Sequence, residues 1–261
     1  YRAPKGMADE DKIKYYVDNL EHMFVEAAPA DSVAAIIFEP IQGEGGFVPA
    51  PIEWVKAVRQ ICDKHGILMV TDEVQTGWSR SGSLFVSDYY KEAGCAPDIM
   101  TTAKSIAGGL PLSAVVAKKE IMDAVPAGTI GGTYCGNPLA CASALKVMEV
   151  MEKEDYPGKA KKIGAIAMDK FNEWKEKYEV IGDVRGIGSM IGVEFVKDKA
   201  TKEANAEIVG KIVNYAVKKG LMLEAAGTYG NVIRFLCPLC VTDEQLKKGL
   251  EIYEEAIVSC M

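Results

Sequence analysis

Ile67-Leu68-Met69-Val70-Thr71-Asp72-Glu73-Val74-Gln75 runs from a continuous apolar stretch straight into paired carboxylates. Short apolar runs without alternation mark strands buried on both faces, as in parallel sheets. Residues 51–65, just before it, read as a helix that Gly66 ends. Three more runs of the same kind lie at 34–38, 98–102 and 112–117. Helical periodicity covers 9–24, through Ile13, Tyr16, Val17, Leu20, Met23 and Phe24, and again 137–153. Strands alternating with helices predict an α/β fold with a mostly parallel sheet. In such sheets functional groups gather where strands end, and polar clusters follow these strands.

From Tyr156-Pro157-Gly158 the pattern changes. A lysine-rich helix reaches about residue 177, followed by a strand at 190–196, a helix near 203–219, and strands near 221–223 and 232–236. Thr242, with Gln245 three residues on, opens a closing helix as a capping box. The expected division is residues 1–155 as part of a large α/β domain and 156–261 as a smaller α+β domain.

The 261 residues suffice for one large domain or two modest ones. At 49% apolar and 26% charged residues the composition is that of a soluble globular protein. A net charge of −7 leaves no basic surplus to neutralise phosphates, so neither nucleic acid nor an anionic membrane is an expected partner. A single phosphate-bearing cofactor in a local pocket remains compatible. No apolar run approaches the roughly 18 residues of a membrane span. The opening Tyr1-Arg2-Ala3-Pro4-Lys5-Gly6 has neither initiator Met nor signal-peptide core, and reads as a cut start. The seven cysteines, an odd number mostly within apolar segments, read as packed, reduced thiols of a cytoplasmic protein. Cys237-Pro238-Leu239-Cys240 has redox or zinc spacing, but no second pair exists and the histidines are only His22 and His65. No metal is expected.

Each polar cluster admits two readings. Glu39-Pro40-Ile41-Gln42-Gly43-Glu44-Gly45-Gly46 is a surface turn or a tight functional loop. Asp72 caps the next turn or pairs with a cation such as a protonated heteroaromatic nitrogen, because a carboxylate at the tip of a buried strand needs a partner. Lys104, in Thr101-Thr102-Ala103-Lys104-Ser105-Ile106-Ala107-Gly108-Gly109, reaches solvent or is a lysine tuned to form a Schiff base. Gly131-Gly132-Thr133-Tyr134-Cys135-Gly136-Asn137-Pro138 is a helix cap or a phosphate loop. Gly186-Ile187-Gly188 precedes a strand rather than following one, so it is not a dinucleotide loop. Arg234, within Val232-Ile233-Arg234-Phe235-Leu236, needs an anion, and a carboxylate matches its fork.

The order and spacing of these clusters together resemble the class III (omega-amino) aminotransferases of fold type I, the 4-aminobutyrate aminotransferases most of all. The resemblance runs from about Ala34 to the end, and is most specific around Lys104 and at Gly132-Thr133-Tyr134 with Gly136-Asn137-Pro138-Leu139-Ala140-Cys141. It implies a pyridoxal phosphate (PLP) cofactor, residues 1–155 as an incomplete PLP-binding domain, and Lys104 as Schiff-base lysine and proton carrier. By the same resemblance Asp72 pairs with the pyridine nitrogen, Val74 packs on the ring, Gln75 bonds the phenolic oxygen, and Thr133 binds phosphate. Thr133 would do so in the neighbouring subunit, which implies a homodimer with shared sites. Arg234 would hold the α-carboxylate of glutamate or 2-oxoglutarate, Glu44 would pair with Arg234 when an ω-amino substrate is bound, and Glu39, in the same loop, would have a supporting role in substrate binding.

The chain departs from the family in lacking the N-terminal part that carries a glycine-rich phosphate loop and an aromatic stacking on the ring. Trp78-Ser79-Arg80 also replaces a small-residue loop. The implied reaction moves an amino group from an ω-amino acid such as 4-aminobutyrate to 2-oxoglutarate. Acetylornithine and ornithine aminotransferases share the constellation, and a non-catalytic fragment or assembly module is the rival from another class.

Overall fold

A computed structural model describes residues 1–4 and 6–261. Its first part contains α1 (Asp9–Glu26), β1 (Ala35–Phe38), β2 (Ile41–Gln42), β3 (Val48–Pro49), α2 (Ile52–His65), β4 (Leu68–Asp72), α3 (Ser87–Glu92), β5 (Ile99–Thr102), β6 (Ala114–Ala117), α4 (Lys119–Asp123) and α5 (Pro138–Lys153). The sheet order is β1-β4-β5-β6, with the first two pairings parallel and β6 antiparallel at one edge. The mostly parallel α/β layer is therefore as expected. Gly66 ends α2 in the left-handed region at φ 70°, donating its N–H to Cys62 O. The apolar face of α2 (Val55, Val58, Cys62) packs with Met69 of β4 and with Phe47 and Tyr90 in one core.

Burial of these strands is less complete than their composition suggests. Ile37 of β1 is 62% exposed, and Val115 and Val116 of β6 are also largely exposed. The strands do not alternate in sequence, yet edge strand β1 leaves one face open, and β6 leaves Val115 and Val116 exposed on opposite faces.

Just before β5 the carboxylate of Asp98 is buried and accepts three bonds: from the N–H of Met69 at 2.8 Å, Arg59 Nη1 at 2.6 Å and Lys118 Nζ at 2.5 Å. Burial by itself would raise its pKa. Hydrogen bonds from Lys118, Met69 and Arg59 outweigh that and hold the carboxyl below its usual range.

The second part comprises α6 (Tyr156–Lys177), β7 (Ile181–Ile187), β8 (Met190–Asp198), β9 (Glu203–Ala204), α7 (Ala206–Lys218), β10 (Glu224–Ala226), β11 (Val232–Phe235) and α8 (Asp243–Cys260). Its sheet, β10-β11-β8-β7 with β9 beside β8, is antiparallel throughout. Helices α6, α7 and α8 cover it, and in their common core Tyr253 packs edge-on against both Phe171 and Trp174. Each such ring buried contributes on the order of 1.5–3 kcal/mol. The capping box at Thr242 and Gln245 forms as read from sequence. Met190 packs into the core of the first sheet together with Ile187 and Leu236, so the two sheets share apolar contact.

Several details differ from the sequence reading, which also lacks the short elements β2, β3, β9, α3 and α4. Strand β7 is absent from it, because Gly182, Asp183, Arg185 and Gly186 interrupt any apolar run. The strand expected at 221–223 lies at Glu224–Ala226, since Leu221 and Leu223 pack against the second core just before the ladder begins. The cysteines are all free, but only Cys62 and Cys95 are buried, while Cys135 and Cys240 are exposed.

Helix α6 meets the β7–β8 turn at Gly164, where an added Cβ would lie 2.0 Å from Gly188 O. Backbone cannot yield as a flexible side chain can. Gly164→Ala is therefore expected to destabilise the fold by about 1–3 kcal/mol, read as a lower urea midpoint at unchanged slope. A midpoint at or above the parent's would overturn this reading of the contact.

Candidate active site

The first polar loop is not a free surface turn. Between β2 and β3 the chain reverses with Gly46 N–H donating to Gly43 O at 3.1 Å, and Glu39 Oε2 accepts the Gly43 N–H at 2.8 Å. The second sheet grips the same turn: Arg185 Nε and Nη2 donate to Gly46 O at 3.1 and 2.7 Å, and Gly227 N–H donates to Glu44 O at 2.8 Å. Gly43 is packed on Gln75, so closely that a Cβ there would stand 2.4 Å from Gln75 Oε1.

At the end of β4, Asp72 is half-buried and one oxygen accepts the Val74 N–H at 3.0 Å. It thus caps the next turn, and with Glu39 and Gln42 it also lines a cleft of about 930 Å³. Val74 is half-buried beside it. Gln75 Oε1 is buried and lacks a hydrogen-bond partner, an unsatisfied acceptor of the kind that marks a place for a ligand.

Glu73, which sequence reasoning passed over, is fully buried. Its carboxylate accepts the N–H groups of Ser87 at 2.6 Å and Val86 at 3.1 Å, and the Thr76 hydroxyl at 2.5 Å. These bonds tie the turn carrying Asp72 and Gln75 to the start of α3. The only sequence signal was its place beside Asp72, because its partners lie up to 14 residues away.

At the end of β5, Lys104 adopts φ 47°, a left-handed conformation uncommon for a residue with a side chain. It opens a 3₁₀ turn, Lys104–Ala107, which α5 holds through Ser143 Oγ donating to Ala107 O at 2.9 Å. Trp78 ties this strand end to the Asp72 loop, its indole donating to Thr102 Oγ1 at 2.8 Å. Lys104 is exposed and lines a different cleft, of about 890 Å³, with Arg80, Ser143, Lys146 and Tyr156. Thr133 is exposed and lines neither cleft, and Asn137 caps α5 by accepting from Leu139 N at 2.9 Å. Glu39 and Asp72 thus line one cleft and Gln75 packs on Gly43 of their loop, Lys104 lines a second cleft at the end of the strand paired with β4, and Thr133 lines neither.

Arg234 donates from Nη1 to Glu44 Oε1 at 2.5 Å, bridging 190 residues of sequence. Its Nη2 donates to Glu224, a partner that sequence reasoning did not supply. Arg80, in the departing Trp78-Ser79-Arg80 loop, donates to Cys237 O in the second part of the chain. Among the described residues no group of three or more His, Cys, Asp or Glu side chains could hold a metal. No helix among them is long and apolar enough to cross a membrane.

The family profile described as Aminotransferase class-III matches residues 2–257. The chain belongs to the class III aminotransferases. It is 51% identical over 250 residues to the 5-aminovalerate aminotransferase DavT of Pseudomonas putida, covering 96% of this chain and 57% of that protein. To the 4-aminobutyrate aminotransferase GabT of Escherichia coli it is 42% identical over 250 residues, with the same 96% and 57% coverage. An amine transaminase structure from an uncultivated Pseudomonas species, in PLP-bound form, aligns over 100% of this chain and 60% of its own with a TM-score of 0.91 at 34% identity. The chain therefore spans less than two thirds of the length of these relatives.

Class III aminotransferases depend on PLP. The donor set of this class III chain fits that cofactor on two observations: a half-buried carboxylate at a cleft wall, Asp72, and the unsatisfied buried amide oxygen of Gln75.

Proposed function

We propose that this chain is part of a PLP-dependent aminotransferase acting on ω-amino acids such as 4-aminobutyrate or 5-aminovalerate, with 2-oxoglutarate as amino acceptor. The observation that carries it is the Arg234–Glu44 pair. An arginine held by a movable carboxylate offers one pocket two electrostatic states. With Glu44 in place it suits an amine whose reacting carbon bears no carboxylate. With Glu44 withdrawn it presents a fork for the α-carboxylate of glutamate or 2-oxoglutarate. The relatives named for 5-aminovalerate and 4-aminobutyrate support the donor class.

When bound, PLP supplies an electron sink for the substrate carbon that loses its proton. Lys104 Nζ would hold the cofactor and would be the atom that takes and returns that proton. Asp72 would keep a proton on the cofactor's ring nitrogen, Gln75 would bond its phenolic oxygen and Val74 would pack on the ring. Thr133 binds phosphate of a neighbouring subunit's cofactor in a homodimer, in keeping with its exposed position, and Glu39 steadies the Gly43 turn. In this reading residues 1–155 belong to the cofactor domain, 156–261 form the small domain, and the protein works in a reducing cytoplasm.

The test is glutamate formation from 2-oxoglutarate with each of 4-aminobutyrate, 5-aminovalerate, ornithine and acetylornithine as donor, in the presence of PLP. Glutamate formed with the first two at a kcat/KM at least tenfold above the others is the expected result. Preference for ornithine or acetylornithine would move the substrate class. Turnover of an α-amino acid without any 2-oxo acceptor would overturn amino transfer as the reaction.

A further inference from the structure

Arg234 is faced by more negative charge than the exchange of one carboxylate for another requires. Nη1 donates to Glu44 and Nη2 to Glu224. The arginine side chain is only 15% exposed, whereas the two carboxylate side chains are 73% and 59% exposed, so both cap the guanidinium from the solvent side. They differ in how they are held. Glu44 stands on the tight turn of the first polar loop. Glu224 is the direct cross-strand partner of Arg234 in the β10–β11 ladder, where the Cα positions 224 and 234 are paired. Side chains opposite one another on antiparallel strands share a face, so Glu224 stays beside the arginine when Glu44 leaves.

We propose that Glu224 is a specificity-determining residue that weakens capture of α-carboxylates at Arg234 and so tilts selection toward donors with no carboxylate on the reacting carbon. The inference rests on the reading of Arg234 as the carboxylate-binding group. With Glu44 alone, withdrawal of that side chain would expose a full positive charge, and an incoming carboxylate would restore neutrality. With Glu224 fixed on Nη2, withdrawal exposes an already neutral pair, and the incoming carboxylate brings an unbalanced negative charge next to another. An ω-amino donor leaves Glu44 in place and meets no such opposition. Glu224 acts through Arg234 and needs no contact with the reacting atoms.

The test uses the PLP-loaded protein with the variants Glu224→Gln, Glu224→Asp and Arg234→Met. The dissociation constant of glutarate, an unreactive dicarboxylate, is measured by calorimetry, together with KM for 2-oxoglutarate and for 4-aminobutyrate. Glu224→Gln keeps the side chain's size and removes its charge. It is expected to tighten glutarate and lower KM for 2-oxoglutarate by about three- to tenfold, with kcat and the donor's KM unchanged. Glu224→Asp, which retains the charge, is expected to match the parent. Unchanged or weaker glutarate binding in Glu224→Gln, alongside its loss in Arg234→Met, would overturn the role of Glu224 and leave that of Arg234 standing. Undiminished glutarate binding in Arg234→Met would overturn both.

Discussion

Lys104→Ala is expected to leave a protein that folds like the parent but no longer develops the visible absorption band of lysine-bound PLP, with amino transfer lowered by about 10²–10⁴-fold through the lost proton transfer alone. The side chain is exposed and lies outside every buried core cluster, so its removal opens no cavity. The strained φ of 47° is set by the turn that follows and by the Ser143 bond to Ala107, both of which remain in the variant. Loss of function without loss of melting temperature is therefore the expected signature. A lysine-type band persisting in the variant would remove Lys104 from the role of anchor, and a large drop in melting temperature would mean that its backbone, rather than its amine, is what matters.

The second large effect concerns stability. Asp98→Ala is expected to cost about 1–3 kcal/mol at neutral pH, because it removes one of the two carboxylates on Arg59, whose side chain is only 13% exposed and which keeps Asp63 at 2.8 Å, and leaves the Met69 N–H without its acceptor. The pH dependence has a definite sign. The native carboxyl titrates below its usual range, so its contribution is fully present above the unfolded-state value near 4 and is lost as pH falls through the lower native value. The gap between parent and variant should hold from pH 7 to about 5 and then narrow toward pH 3. Urea titrations at pH 7 and pH 3 decide the matter: an equal gap at both would show that the aspartate does not act through its charge.

Much of the first sheet was legible because its strands are uninterrupted apolar runs ending in polar residues, which also brought out Asp72 and Lys104. What stayed hidden depends on partners distant in sequence. Strand β7 carries Asp183 and Arg185 because both are neutralised inside the fold, Arg185 Nη1 donating to Asp183 at 2.8 Å and to Glu194 at 2.6 Å. No local pattern announces such a network. Glu224 looked like an ordinary charged residue until the β10–β11 register placed it opposite Arg234. The Glu44–Arg234 pairing was reached through family resemblance alone, since 190 intervening residues hide it from periodicity or spacing. Glu73 sat in plain view beside Asp72, yet its partners at the start of α3 became visible only with the fold.

The link from Arg80 to the Cys237 carbonyl has a bearing on how the molecule answers its solvent. Burial lowers the pKa of this guanidinium from its ordinary value, yet an arginine starts so high that it keeps its proton across the working range. Its acceptor is a peptide dipole, not a counter-charge, so dissolved ions find little there to screen. Arg234 is the opposite case, bound to two largely exposed carboxylates within reach of the Debye atmosphere. Ionic strength therefore acts on one arginine and spares the other: it loosens the grip on Arg234 while the Arg80 clasp between the two sheets holds its geometry.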